Sequence, residues 1–387
     1  MNTFDIDRTY VAGTYNRAPV EIVGGKGALL EGADGRQYID MGSGIAVNGF
    51  GLGDETWKEA VIAQLNRVQH ASNLYYTSPQ ALLAKALCQK TGMKKVFFGN
   101  SGAEANECAI KVMRKYASDK YGEEKRPVIV TLVNSFHGRT LATLAATGQD
   151  HFHHSFGPFP AGFRYVQSGD SDGMREALAQ GDVAGVMMEM VQGEGGVIPL
   201  DRQFVQETVR MAAECGALVA VDEVQTGNGR SGTYFSYEQF GIQPDVVTTA
   251  KGLGGGLPIG ACLIGEKAQD TLTPGSHGST FGGNPVVCAG ALTIVRRIDE
   301  GFLAGVRVRS DLIRQELEGA KGIAGVTGMG LMLGVETEKP ASEVLAACRD
   351  RGVLVLTAKT KIRLLPPLNI DIDLLKKAVD AIKEAAK

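Results

Sequence analysis

The sequence lacks the features that mark membrane, exported and nucleic-acid-binding proteins. Its 387 residues carry a formal net charge of only −3, so no excess of one charge indicates a nucleic acid or an anionic membrane as a partner. No apolar run approaches the ~20 residues that a membrane-spanning helix needs. The first residues, MNTFDIDRTY, are charged and lack the apolar segment of a signal peptide. We therefore expect a soluble, cytoplasmic protein.

The cysteines and histidines also lack the clustering that is typical of metal sites and disulfide frameworks. The cysteines form no CxxC pair and are scattered singly, at Cys88, Cys108, Cys215, Cys262, Cys288 and Cys348. Such spacing is typical neither of a disulfide framework nor of a zinc site. His151, His153 and His154 lie in a polar stretch that we interpret as a solvated loop, and we expect no bound metal.

Glycine, in contrast, is abundant, and it follows apolar runs. The 51 glycines are about 13% of the chain, against ~7% in average proteins. Between about residues 94 and 265, apolar runs alternate with helical stretches, at 95–98, 128–133, 183–188, 217–221, 246–249 and 260–264. This alternation predicts an α/β fold with a mainly parallel sheet between helices. Because ligands of such sheets bind at the carboxyl ends of strands, the residues after each run are candidate site residues.

The two ends of the chain predict a second, smaller domain. From about residue 300 the pattern favours an α+β layer of a helix, strands and a last helix, at 306–317, 325–335, 353–357, 361–365 and 372–386. Near the start, EIVGGKGALLEGADGRQYID is typical of a hairpin that turns at Asp34-Gly35. We expect the hairpin to pack on the C-terminal layer. The predicted domains are therefore a large one of residues 46–295 and a small one formed by 1–45 and 296–387.

Two segments carry residues suited to binding a charged cofactor, and Lys251 lies in a third. After the run that ends at Phe98, Ser101, Gly102 and Ala103 open an amphipathic helix, where free N–H groups favour a phosphate. A plain serine-capped helix is the alternative. Asp222 ends another buried run, where a carboxylate is costly unless it meets a cation, such as a protonated ring nitrogen. A carboxylate that binds a metal or caps a loop is the alternative.

Lys251 follows the next run and precedes a glycine-rich loop. Apolar neighbours lower the pKa of a lysine, as a Schiff-base amine requires. The spacing from Asp222, 251 − 222 = 29 residues, is one strand–helix–strand step, so both residues can face one site.

Six short motifs occur along the chain in the following order: NSGAEAN, FHGRT, EMVQGEGG, VDEVQTGNGR, TAKGLGGGLPIGA and HGSTFGGNP. In this order they resemble the class III, fold-type I aminotransferases, which depend on pyridoxal 5'-phosphate (PLP). The resemblance runs from TYNRAPV near residue 14 to IRLLPPL near residue 362. It implies the fold of that family, PLP as the cofactor and ping-pong transfer of an amino group. One departure is Glu189-Met190, where the family usually has Glu-Pro.

The resemblance also implies roles for single residues around the cofactor. Lys251 matches the Schiff-base lysine and general base, and Asp222 the partner of the protonated pyridine nitrogen. The other cofactor contacts that it implies are Ser101, Gly102 and Ala103 at the phosphate, Phe136 stacked on the ring, Val224, Gln225 near the phenolic oxygen, and Thr280 on the phosphate of a neighbouring subunit's cofactor. A homodimer with shared active sites follows from the last of these.

For the substrates, the resemblance implies that Arg363 takes the carboxylate near the reacting carbon and Arg139 the distal one. Glu194 matches the residue that pairs with Arg363 when no near carboxylate is present, and Ser279 contacts substrate across the interface. Within the class the chain most resembles the acetylornithine aminotransferases, which implies N-acetylornithine and 2-oxoglutarate as substrates and a place in arginine biosynthesis. Two alternatives stay open: another ω-aminotransferase, for succinylornithine, ornithine or 4-aminobutyrate, and a PLP protein that does not transaminate.

Overall fold

The structure is a computed structural model that describes residues 2–387. These residues form helices α1 Thr3–Tyr10, α2 Ser43–Ala46, α3 Glu55–Leu65, α4 Ser78–Thr91, α5 Gly102–Tyr121, α6 Leu141–Ala146, α7 Ser171–Ala179, α8 Arg202–Cys215, α9 Pro285–Arg297, α10 Glu300–Leu317, α11 Ala341–Asp350 and α12 Ile372–Ala386. The strands are β1 Ile22–Lys26, β2 Leu29–Gly32, β3 Gln37–Asp40, β4 Lys95–Gly99, β5 Val128–Leu132, β6 Phe163–Val166, β7 Val183–Met188, β8 Val191–Gln192, β9 Ile198–Pro199, β10 Leu218–Asp222, β11 Val246–Thr249, β12 Gly260–Ile264, β13 Ile323–Met329, β14 Met332–Thr337, β15 Val353–Leu354, β16 Leu356–Ala358 and β17 Lys361–Leu364.

A seven-stranded sheet organises the centre of the molecule, in the order β4-β12-β11-β10-β7-β5-β6. The pairs among β11, β10, β7, β5 and β6 are parallel, whereas β12 runs antiparallel to both of its neighbours. Every residue of β7, β10, β11 and β12 is buried. Burial on both faces explains the continuous apolar runs, and the predicted α/β fold with a mainly parallel sheet is confirmed.

The C-terminal layer is built on a second sheet, β13-β14-β17-β16. The single strand predicted at 325–335 is wrong, because Gly330, with φ of 54°, turns the chain and β13 pairs back onto β14. The strand predicted at 353–357 is also two strands. Its first half, β15, pairs with β3, and its second half, β16, pairs with β17.

The N-terminal hairpin turns where the sequence predicts, with Gly35 at φ of 78° between β2 and β3. Its strand β3 pairs in parallel with β15 of the C-terminal region, so the two ends of the chain share a sheet. Helix α12 covers this region with one apolar face, which buries Leu375, Val379 and Ile382. None of the helices among residues 2–387 has the length and apolar character that crossing a membrane demands.

Candidate active site

A cavity of about 460 Å³ opens at the carboxyl ends of the central strands. Successive strands deliver one functional segment each, because the chain leaves every parallel strand at the same edge of the sheet. The walls include most of the residues predicted for cofactor and substrate: Ser101, Gly102, Ala103, Phe136, Arg139, Glu194, Asp222, Val224, Gln225 and Lys251.

The N-terminus of α5 forms one end of the cavity. Ser101 caps the helix, and its hydroxyl accepts a hydrogen bond from the Glu104 N–H at 3.2 Å. Gly102 and Ala103 line the cavity, and their N–H groups have no partner within the helix, as for any first turn, so they are available to an anion bound there. A Cβ at residue 102 would lie 2.6 Å from a Val224 methyl carbon, so only glycine lets the helix approach that side chain.

Asp222 lies at the end of β10 and is buried. Its Oδ2 accepts hydrogen bonds from Asn106 Nδ2 and His137 Nδ1, both at 2.8 Å. Its Oδ1 accepts one from the Val224 N–H at 3.0 Å. Three donors hold the carboxylate in one orientation, as a fixed partner for a cationic group requires. Asn106 is itself held, since its Oδ1 accepts a hydrogen bond from Thr248.

Glu189 is a second buried carboxylate beside this network. Its Oε1 accepts a hydrogen bond from the Phe136 N–H at 2.9 Å, and its Oε2 one from the Gly193 N–H at 3.3 Å. Glu189 therefore ties the segment that carries Phe136 to the loop that carries Glu194. Burial raises the pKa of Glu189 to about 7, and the nearby His137 opposes that rise.

Sequence reasoning passed over Asn106, His137 and Glu189 as site residues. Each one lies inside a motif that was recognised, in NSGAEAN, FHGRT and EMVQGEGG. The signal that could have found them is a polar side chain in an otherwise buried segment, because such groups need partners.

Lys251 follows β11 in a left-handed backbone conformation, with φ of 46°. Its side chain lines the cavity and makes no hydrogen bond or ion pair with any of residues 2–387. Burial lowers the pKa of Lys251, and the charge of Glu194 opposes that effect. A larger neutral fraction makes the amine a better nucleophile and base.

Arg363 reaches the same site from β17, although it lies 169 residues from its partner Glu194. The Nη1 atom of Arg363 is 2.5 Å from Glu194 Oε1 and also donates to Gln225 Oε1 at 3.3 Å. The Arg363 side chain is 5% exposed and its Nε is buried without a partner, whereas Glu194 is 33% exposed. The more exposed member of the pair is thus the carboxylate, which lines the cavity.

Arg139 lies at the exposed mouth of the cavity. Its guanidinium carbon is 4.2 Å from the ring centroid of Phe152 and 5.4 Å from that of Phe136. These distances are typical of cation–π contacts. The structure thereby brings Arg139 close to both the proposed ring-stacking aromatic and a residue that sequence reasoning left out.

Ser279 and Thr280 stand apart from this group. The Ser279 hydroxyl accepts a hydrogen bond from Asn100 Nδ2 at 3.2 Å, so it lies at the edge of the cavity. Thr280 is exposed on a surface loop and does not line the cavity of its own chain.

The histidine-rich segment is only partly solvated, which corrects its interpretation as a solvated loop. His151 and His154 are exposed. His153 is half-buried, with its Nε2 3.0 Å from the carbonyl oxygen of Leu144 and its ring against Phe159.

The fold agrees with the comparisons to known proteins. Residues 10–386 match the family model described as aminotransferase class-III. The chain belongs to this family and is an aminotransferase.

Within the family it is similar to acetylornithine aminotransferases. The enzyme of that name from Haemophilus ducreyi is 48% identical over 98% of this chain and 97% of its own length. The N-acetylornithine aminotransferase structure from Stenotrophomonas maltophilia K279a is 34% identical with a TM-score of 0.85, covering 99% and 98% of the two chains. An ornithine aminotransferase structure from Toxoplasma gondii, described as having PLP at partial occupancy in its active site, is 29% identical with a TM-score of 0.92 over 99% and 93%.

Proposed function

We propose that this chain transfers the δ-amino group of N-acetylornithine to 2-oxoglutarate, with PLP as cofactor. The products are N-acetylglutamate semialdehyde and glutamate, and the biological role is arginine biosynthesis. The observation that carries the proposal is the pairing of Arg363 with Glu194 in a cavity whose mouth holds a second arginine, Arg139. The names of the similar proteins support the same assignment.

The cavity has the donors and acceptors that PLP needs. The free N–H groups of Gly102 and Ala103 would hold the phosphate, and the fixed carboxylate of Asp222 would pair with the protonated ring nitrogen. Phe136, Val224 and Gln225 would contact the ring, and Lys251 would carry the cofactor. When bound, PLP supplies an electron sink for the bond that breaks at the substrate carbon.

Lys251 is the general base and general acid of the proposed reaction. Its Nζ removes the proton from the carbon that bears the donor amine, and it returns a proton to the acceptor in the second half-reaction. Because burial lowers its pKa, more of the amine is in the neutral form that accepts a proton. Glu189 holds the Phe136 segment in place beside it.

Arg363, Arg139 and Glu194 together would let one site bind two substrates whose carboxylates lie at different positions. Glutamate and 2-oxoglutarate carry a carboxylate next to the reacting carbon, and Arg363 would bind it when Glu194 moves aside. N-acetylornithine has no carboxylate there, so Glu194 would stay paired with Arg363. Arg139 would take the distal carboxylate of either substrate, in the bidentate geometry that guanidinium favours.

The donor preference is the first test. N-acetylornithine should have a higher kcat/KM than ornithine, N-succinylornithine or 4-aminobutyrate under identical conditions, with 2-oxoglutarate as acceptor. Acylation removes a positive charge beside Arg139 and leaves the δ-amine as the only reactive nitrogen. A clear preference for ornithine or 4-aminobutyrate would overturn this donor, while amino transfer itself would stand.

We also propose a homodimer in which each subunit completes the other's site. Thr280 is exposed and lies outside the cavity of its own chain. A patch of exposed apolar side chains, Leu74, Tyr75 and Tyr76, also lies on the surface. Such a patch is typical of a protein interface.

Hybrid dimers test the shared site. Two differently tagged chains are co-expressed, one with Lys251→Ala and the other with Thr280→Ala, and the hybrid is isolated through both tags. If Thr280 acts across the interface, one of the two sites is intact and about half of the wild-type activity returns. The matched control carries both substitutions on one chain and pairs it with a wild-type chain. That control should be nearly inactive, and the reverse ranking would mean that Thr280 serves its own subunit.

A further inference from the structure

The guanidinium of Arg139 has aromatic neighbours in place of polar ones. No described residue in the range 2–387 forms a hydrogen bond or an ion pair with it. Its carbon lies 4.2 Å from the ring centroid of Phe152, closer than to Phe136. Phe152 and Phe136 also contact each other edge to face, with centroids 5.7 Å apart. The guanidinium of Arg139 therefore lies against both of these edge-to-face rings.

Phe152 is well placed to hold a neighbour because its own segment is anchored on both sides. It ends a short 3-10 helix, and its N–H donates to the carbonyl of Gln149 at 3.0 Å. The Gln149 side chain is buried and donates to the carbonyl of Ser135, next to Phe136. On the other side, His153 contacts the carbonyl of Leu144. The segment thus fixes the Phe152 ring relative to the Phe136 segment.

This arrangement leaves the N–H donors of the Arg139 guanidinium free to bind a ligand. An acidic neighbour would hold the guanidinium by using its N–H groups, whereas an aromatic face attracts the cation and leaves every N–H available. An exposed arginine without such a support samples many rotamers, and that freedom is lost when a ligand binds. The support therefore favours binding of a carboxylate.

We propose that Phe152 is a positioning residue that determines specificity: it holds Arg139 ready for the distal carboxylate of the substrate. The inference rests on the proposed function and deepens it, since it names how the site selects amines and oxo acids with a carboxylate far from the reacting carbon. Phe152 does not line the cavity; it contacts Arg139 and Phe136, which do.

The test compares Phe152→Leu with Phe152→Tyr, which keeps the aromatic face, and with Phe156→Leu. Phe156 is 59% exposed in the same segment and is the matched control. The probes are N-acetylornithine and N-acetylputrescine, which is the same molecule without the carboxylate. In Phe152→Leu, KM for N-acetylornithine should rise about 2- to 30-fold with kcat nearly unchanged, the range of a cation–π contact. The kcat/KM for N-acetylputrescine should not change, and Phe152→Tyr should behave as wild type.

A binding measurement separates this inference from turnover and from the donor. The Kd of glutarate, a dicarboxylate without an amino group, should rise in Phe152→Leu by the same factor in calorimetry and should stay constant in Phe156→Leu. An unchanged Kd and KM in Phe152→Leu would overturn the role of Phe152. Equal losses with both amines would show a merely structural effect and would also overturn it. Failure of wild-type protein to use N-acetylornithine would overturn the proposed donor alone, because glutarate binding still tests Phe152.

Discussion

Replacing Lys251 with alanine should abolish transamination. Loss of a positioned general base alone lowers kcat by about 10²- to 10⁴-fold, and loss of the covalent anchor for PLP adds to that. No second amine replaces it, since Lys251 is the lysine that lines the cavity among residues 2–387. The same substitution should remove the visible absorption that a lysine-bound PLP gives to the purified protein.

The measurement combines activity with chemical trapping. Borohydride reduction followed by peptide mass analysis should find the pyridoxyl group on Lys251 of the wild-type protein. Lys376→Ala is the matched control, because Lys376 is exposed on α12 and does not line the cavity. The assignment of Lys251 would be wrong if Lys251→Ala kept both the trapped group and its turnover.

The centre of the fold could be predicted from the sequence because its strands are buried on both faces. The runs at 183–188, 246–249 and 260–264 coincide with β7, β11 and β12. The sequence does not predict the edge strand β6, because this strand carries Arg164 and Tyr165, is only partly buried and so shows no apolar run. The sequence predicts one strand in place of the hairpin of β13 and β14, because apolar residues continue through its two-residue turn.

The site was predictable only as far as its residues follow strands. Asp222 ends a buried run and Lys251 closely follows one, so their positions follow from local pattern and from the geometry of parallel sheets. The partners of Asp222 do not, because Asn106 lies 116 residues away and His137 lies 85 residues away. Such contacts depend on the order of the strands in the sheet, and a local sequence pattern does not predict that order.

The same limit applies more strongly to Arg363. It comes from a different sheet, and nothing near it in the sequence indicates a partner in the loop of Glu194. The resemblance to a family supplied the pair, and the structure places the two side chains in contact. Phe152, in contrast, carries no family role in the sequence reasoning, and its contact with Arg139 is visible only in three dimensions.

Replacing Arg363 with methionine should separate the two half-reactions. The half-reaction of glutamate and 2-oxoglutarate loses its partner for the near carboxylate, and truncating one member of a buried charge pair costs about 2–5 kcal/mol, or roughly 30- to 5,000-fold. The half-reaction of N-acetylornithine has no near carboxylate and should change by less than about tenfold. Single-turnover absorbance of the bound cofactor measures each half separately.

Two further variants make the comparison decisive. Arg139→Met should weaken both halves by about 10- to 150-fold, because each substrate presents a distal carboxylate to it and a charge-assisted bond contributes about 1.5–3 kcal/mol. Glu194→Gln should act in the opposite direction to Arg363→Met, since it leaves Arg363 free for glutamate but without a partner when N-acetylornithine is bound. Equal slowing of both halves by Arg363→Met, with an unchanged melting temperature, would mean that Arg363 does not discriminate between the substrates. The paired loss and gain in Arg363→Met and Glu194→Gln is the result expected if this ion pair opens and closes with each turnover.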